Sequence, residues 1–164
     1  FESSLETLKE HQGTVLSLAK EKNLMFSSST DNTVIIYDAL EVDRNSKFNF
    51  KVLQRVSLPV RSWIYDIAVG RVDGPKASLC DNNGIVHFFN NELEKERKWS
   101  SGITSERDEF CPYQSVGKKR MHARAITHAH IAENENYLWT LSHDGTFQGY
   151  DLRSNCIILS RKNP

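Results

Sequence analysis

Leu24–Asp38 and Tyr137–Asp151 are two imperfect copies of one pattern. Set side by side, they share an Asp (Asp31, Asp144), a Thr two positions later (Thr33, Thr146), a Tyr six positions after the Asp (Tyr37, Tyr150) and a closing Asp (Asp38, Asp151). Upstream, His11-Gln12-Gly13-Thr14-Val15 matches His122-Ala123-Arg124-Ala125-Ile126. A weaker third copy runs from Ala77 to Asn90, with Ile64-Tyr65-Asp66-Ile67 as its upstream strand. A spaced pattern repeated this way marks units that cannot bury their apolar faces alone and stack on one another to do so.

The unit is built from β-strands. Apolar residues come in short bursts rich in β-branched and aromatic side chains: Thr14–Leu18, Leu24–Phe26, Thr33–Tyr37, Lys51–Leu58, Ile64–Val69, Ile85–Phe89, Ile126–Ile131, Tyr137–Leu141, Thr146–Tyr150 and Cys156–Leu159. Asp31-Asn32, Asn83-Gly84 and Asp144-Gly145 each separate two bursts. Such dipeptides accept the positive φ of tight hairpins, so the flanking strands pair antiparallel. The best helical stretch, Asn91–Lys98, carries a single apolar residue, Leu93, and reads as a solvated loop or one turn. The fold class expected is all-β.

Composition narrows the possible functions. Lys plus Arg and Asp plus Glu are 21 each, for a formal net charge of zero. That argues against a tight electrostatic nucleic-acid binder and against a polybasic membrane anchor. Eight Phe, five Tyr and three Trp supply enough apolar surface to argue against disorder. No apolar run reaches the roughly 18 residues of a membrane-spanning helix. The three cysteines, Cys80, Cys111 and Cys156, lie far apart with no CxxC, which points to a reduced, intracellular and cytoplasmic setting.

The pattern resembles the WD40 repeat of the β-propeller family; it does not single out a subfamily. In that family a His near a tight turn precedes a strand, then Ser-x-Ser-x-Asp, then Thr-Val-x-x-Trp-Asp. His11, Asp31 and Tyr37-Asp38 match in the first copy, and His122, Asp144 and Tyr150-Asp151 in the third. Both copies carry Tyr where the family usually has Trp. The second copy lacks the His and has Asn83 in place of the turn Asp. The resemblance implies a partial propeller of about three four-stranded blades: residues 1–10 as the outer strand of a preceding blade, at Leu5–Leu8, then 11–59 as blade one, 60–100 as blade two, 101–121 as a long loop and 122–164 as blade three. Propellers close at about four to eight blades, so three would form part of a larger ring. Blades one and three are then expected to expose apolar faces, each on the order of several hundred Å2, for other protein to cover. A small sandwich or open barrel is the alternative, and it leaves the repeats unexplained.

The resemblance also implies a hydrogen-bonded relay in each regular blade: His11, Asp31 and Tyr37 in blade one, and His122, Asp144 and Tyr150 in blade three. An Asp anion would lock the loop ahead of the blade to the turn within it. A His–Asp pair that recurs in two blades is architecture, not a catalytic dyad. Blade two, without the His, is expected to rest on apolar packing by Ile64, Ile67, Val86, Phe88 and Phe89. His128-Ala129-His130 puts two imidazoles on one strand face, the spacing a metal site would use, but no third ligand is forced to converge on them. No cofactor or metal is expected, and no nucleophile with an adjacent base or phosphate-cradling loop is present.

Binding surfaces are the remaining candidates. The loop leading into the first strand and the turn between the second and third strands emerge at one end of such a ring. Gln12, Thr14 and Thr30 stand there in blade one, Arg61, Trp63, Tyr65 and Asn82 in blade two, and Arg124 and His143 in blade three. A Trp flanked by Arg is the kind of anchor that dominates interfaces. The function expected is a non-catalytic protein-interaction scaffold within a multi-protein assembly, its partners being other chains or the rest of the same propeller. The rival readings are an RNA-binding propeller using Arg61, Trp63, Tyr65 and Arg124, and the recruiting part of a larger enzyme.

Overall fold

The computed structural model describes residues 7–41, 48–70, 77–90, 113–132 and 136–162. Twelve strands lie among them: β1 (Val15–Glu21), β2 (Leu24–Ser29), β3 (Thr33–Glu41), β4 (Phe48–Ser57), β5 (Ile64–Val69), β6 (Ala77–Asp81), β7 (Ile85–Asn90), β8 (Gln114–Arg120), β9 (Ile126–Ile131), β10 (Tyr137–Ser142), β11 (Thr146–Asp151) and β12 (Cys156–Lys162). They form three four-stranded sheets, each an antiparallel meander in chain order. The first strands of the sheets, β1, β5 and β9, lie next to one another, so the blades fan out from a shared axis.

The hairpin signals do what their chemistry allows. Asn32, Gly84 and Gly145 take φ of 62°, 77° and 78° in the three equivalent turns. Register shifts also recur at equivalent places. One falls near the start of each inner strand's pairing, at Val15/Ser17, Ile64/Asp66 and Leu141/Ser142. A second falls where the third strand meets the outer one, at Ile36/Tyr37, Phe88/Phe89 and Gly149/Tyr150. Bulges twist a strand and re-aim its side chains, and their repetition shows three copies of one unit.

Blade two is buried on both faces, which explains its nearly continuous apolar strands. Phe26, Val34 and Ile36 of blade one meet Ile67, Ala77, Leu79 and Phe89 on one side. Ala68, Cys80, Val86 and Phe88 meet Met121 of the β8–β9 connection and Ile126, Leu138 and Tyr150 of blade three on the other. The far faces of the outer blades are less covered. Leu18 of blade one is 64% exposed and Leu141 of blade three 47%. Leu141 neighbours the Trp139 and Phe147 rings, stacked 5.3 Å apart.

Two sequence expectations need correction. Residues 101–121 are not all loop, and blade two does not end at residue 100. Gln114–Arg120 is its outer strand, paired with β7 from Ile85↔Arg120 to Asn90↔Gln114. Its sequence, QSVGKKR, has one apolar residue, Val116, and is almost wholly exposed. An outer strand packed on one sheet edge has no buried face to generate alternation, so nothing in the sequence marked it. The outer strand expected at Leu5–Leu8 has Thr7 and Leu8 in no strand, while Leu5 and Glu6 lie outside the described residues. Asn91–Lys98, Cys111 and the first part of the 101–121 segment also lie outside them.

Candidate functional site

At the end of the fan that carries the β2–β3, β6–β7 and β10–β11 turns, each blade holds its turn with a carboxylate. In blade one, His11 Nδ1 donates to Asp31 Oδ2 at 3.0 Å, and His11 Nε2 lies 2.6 Å from Ser27 Oγ. Ser27 Oγ reaches the Tyr37 hydroxyl at 3.5 Å, so the structure brings His11, Asp31 and Tyr37 into one chain of contacts. Asp31 also accepts the amides of Gln12 and Thr33 and the Thr33 hydroxyl. Burial alone would raise the Asp31 pKa, but these donors together hold the carboxyl well below the usual carboxylate range.

Blade three is built differently. His122 Nδ1 donates to Thr146 Oγ1 at 2.6 Å, and the Thr146 hydroxyl donates to Asp144. The imidazole and the Asp144 carboxylate are 3.6 Å apart, with the threonine between them. Nε2 bonds Thr140 Oγ1 at 2.8 Å. Tyr150 stands apart from this set. Its hydroxyl donates to Asn155 Oδ1, its ring stacks on Phe88 at 5.8 Å, and Lys119 Nζ sits 4.6 Å above it. Burial of His122 pushes its pKa below the ordinary 6.5, against the opposing charge of Asp144. Asp144, bonded to the Thr146 hydroxyl and to the amides of Ala123 and Thr146, is held well below the carboxylate range although desolvation acts the other way.

Blade two does not rest on apolar packing alone. Asp81, wholly buried, accepts His87 Nε2 at 3.0 Å and the amides of Asn83 and Ile85 at 2.9 and 2.8 Å. Burial would raise this carboxyl, yet the His87 and amide bonds lower it. The repeat spacing points to Asn83 for the turn anion, two residues further on, so it does not mark this pair. The available signal was Asp81 and His87 on one face of one hairpin, with His87 paired to Leu79 two residues before Asp81.

A second unforeseen residue is Asp66, the lone acid in the apolar strand Ile64–Val69. Its Oδ1 accepts Ser17 Oγ of β1 at 3.0 Å and its own neighbour's amide, Ile67, at 2.9 Å. Its Oδ2 accepts the Ala129 amide of β9 at 2.9 Å. One carboxylate thus ties all three blades together near the axis.

The surface candidates divide. Arg61, Trp63 and Arg124 gather around the Asn82–Gly84 turn. The Trp63 and Asn82 backbones hydrogen-bond, Trp63 N donates to Asn82 Oδ1, and Asn83 Nδ2 donates to Arg61 O at 3.2 Å. The 122–124 segment lies close over Gly84, where an added Cβ would come within 2.2 Å of His122 O. Arg120, in the segment expected to be a long loop, joins them by donating Nη1 to Asn83 O at 2.7 Å. Tyr65 is the bulged residue of β5. Thr30 belongs to blade one, where its hydroxyl accepts the Thr14 amide at 3.0 Å. His143 is exposed, with its amide bonded to Ala125 O. His128 and His130 are exposed on one face of β9, and no group of three or more metal-ligating side chains occurs among the described residues.

No family model matches the chain, and no curated protein matches it. Solved structures do. The RRP9 WD40 repeats superpose with a TM-score of 0.69 at 15% identity over 95% of this chain and 41% of that one. Sqt1 from Chaetomium thermophilum gives 0.65 at 16% identity over 95% and 37%. A chain of the Mitotic Checkpoint Complex gives 0.66 at 13% identity over 94% and 39%. This is the WD40-like β-propeller fold. The chain spans about two fifths of the length of each of these three. The WD40-like blades here keep the turn-locking anion while varying how the histidine is used.

Proposed function

We propose that this propeller portion acts as a non-catalytic protein-interaction scaffold. The observation that supports the reading best is the loop end, where the segments packed beside the carboxylate-capped turns present Val60, Arg61, Trp63 and Arg124 to solvent. Rigid turns hold exposed side chains at low ordering cost, which favours recognition of a partner. The histidines near these carboxylates are engaged in architecture: His11 and His122 bind strand hydroxyls, and His87 is buried against Asp81. Cys80 is buried with its thiol pKa raised by burial and by Asp66 and Asp81, the reverse of what a nucleophile needs.

The test is cross-linking capture from cell extract with the wild-type chain and a Trp63→Ala/Arg124→Glu variant in parallel, each confirmed folded. A discrete set of proteins lost with the variant supports the scaffold. Recovery that vanishes on ribonuclease treatment, or turnover of a captured molecule, overturns it.

A further inference from the structure

The corner between blades two and three concentrates positive charge. The Asn82–Gly84 turn has Arg61 on one side, the Arg120 side chain on its Asn83 carbonyl and Arg124 in the segment over Gly84. All three side chains are exposed. Among the described residues no carboxylate forms an ion pair with any of them; Asp81 and Asp144, the turn acids of these blades, face inward and are spent on amides, His87 and Thr146. Beside them stand the two largest apolar exposures of the same loop, Val60 at 85% and Trp63 at 38%.

The backbone holds this display at a cost. Pro59-Val60-Arg61-Ser62 is a tight turn closed by Ser62 N to Pro59 O at 3.0 Å. Its third residue has φ of 66°, a position where glycine sits freely and a side chain does not. Arginine occupies it nonetheless. The fold's own stability would favour glycine there.

We propose that Val60, Arg61, Trp63, Arg120 and Arg124 bind an extended acidic peptide segment that carries an apolar side chain among its carboxylates. This rests on the scaffold reading and names the partner's chemistry. Guanidinium forks take carboxylates bidentately, and Val60 with Trp63 offers an apolar contact next to them. A peptide fits better than a nucleic-acid strand. Single strands are held by successive aromatic platforms in a long basic groove, whereas this corner has one indole and a chain of zero net charge around it.

The test is fluorescence anisotropy at low salt with the full chain and three labelled probes: a glutamate-rich peptide bearing one leucine, the same peptide with lysine for glutamate, and an oligouridylate of equal charge. The acidic peptide should bind saturably and the lysine peptide should not. Arg124→Glu and Trp63→Ala should each weaken binding about tenfold or more, as anchors do. Arg61→Gly should weaken it several-fold while raising Tm by about 2–5 °C, because glycine accepts the turn. That variant separates loss of the site from loss of the fold. Arg161→Glu, on β12, should leave affinity unchanged. If the acidic peptide does not bind, or if Arg161→Glu weakens it as much as the corner variants do, the corner proposal falls while the scaffold reading stands on its own capture test. Tighter binding of the oligouridylate overturns both.

Discussion

Replacing Asp66 by alanine should destabilise the protein by unfastening its blades. The carboxylate accepts three hydrogen bonds, from Ser17 Oγ on β1, Ala129 N on β9 and its own neighbour Ile67 N, all at 2.9–3.0 Å. A hydrogen bond to a charged acceptor contributes about 1.5–3 kcal/mol, but these three share one half-buried group that water can partly replace, so Asp66→Ala should cost about 2–4 kcal/mol. Asp66→Asn keeps an acceptor for one amide and should cost about 1–2 kcal/mol. Ser17→Ala removes one partner and leaves the others, for about 0.5–1.5 kcal/mol, and a double-mutant cycle should return a coupling of similar size. Urea denaturation near neutral pH measures the wild type and all four variants. Hydrogen exchange supplies the positional readout: the Ala129 amide should lose protection in Asp66→Ala more than amides within β10 and β11. A stability change under about 0.5 kcal/mol, or a zero coupling in the cycle, would refute the inter-blade role.

Three further outcomes are expected. Gly84→Ala places a Cβ at positive φ and 2.2 Å from the His122 carbonyl, whereas Gly145→Ala meets the same φ with nothing within 4 Å; thermal melts should show the first costing about 3 kcal/mol or more and the second about 1 kcal/mol. His87→Ala strips the buried Asp81 of its Nε2 donor and should cost about 2–3 kcal/mol by denaturant titration, where apolar packing alone would predict less. His122, with a folded pKa below its ordinary 6.5, binds fewer protons folded than unfolded as pH falls below that value. Stability should therefore decline on acidification from neutral pH, with a second loss below about 4 as Asp31, Asp81 and Asp144 protonate. Chemical denaturation across pH should find the first decline flattened in His122→Gln and the second retained.

The blades were legible because their signals are local. Each hairpin carries its turn chemistry in two residues, and burial on one or two faces writes itself into each strand's apolar pattern. His11, Asp31 and Tyr37 were legible through the resemblance to the WD40 repeat, whose relay positions they match. β8 was not, because an exposed outer strand answers only to backbone pairing. Tyr150 matched the repeat by position, but Asn155 and Lys119 supply partners that no offset encodes. Asp66 could be noticed as an acid out of place in an apolar strand. That its oxygens reach β1 and β9 depends on how three blades sit together, which no single blade's sequence states.

The three turns also show what the repeat conserves physically within this one chain. Thr33, Ile85 and Thr146 open the third strand of their blades, and in every case a carboxylate accepts that residue's amide. In blades one and three the carboxylate sits two residues before it, at Asp31 and Asp144, and its other oxygen reaches across to Gln12 or Ala123 in the incoming loop. In blade two it sits four residues before, at Asp81, and its other oxygen is taken by His87 inside the blade. The turn is capped equally well, but the link to the incoming loop is lost. Asn82 and Asn83 replace it with bonds to Trp63 and Arg61. The constant requirement is an anion for one strand-opening amide; the histidine is one of several ways to hold it. Moving that anion into the blade leaves the loop before β5 tied down only by neutral bonds to its backbone. Within it Ser62 is buried while Val60, Arg61 and Trp63 face solvent, so neutral backbone bonds suffice to hold that display.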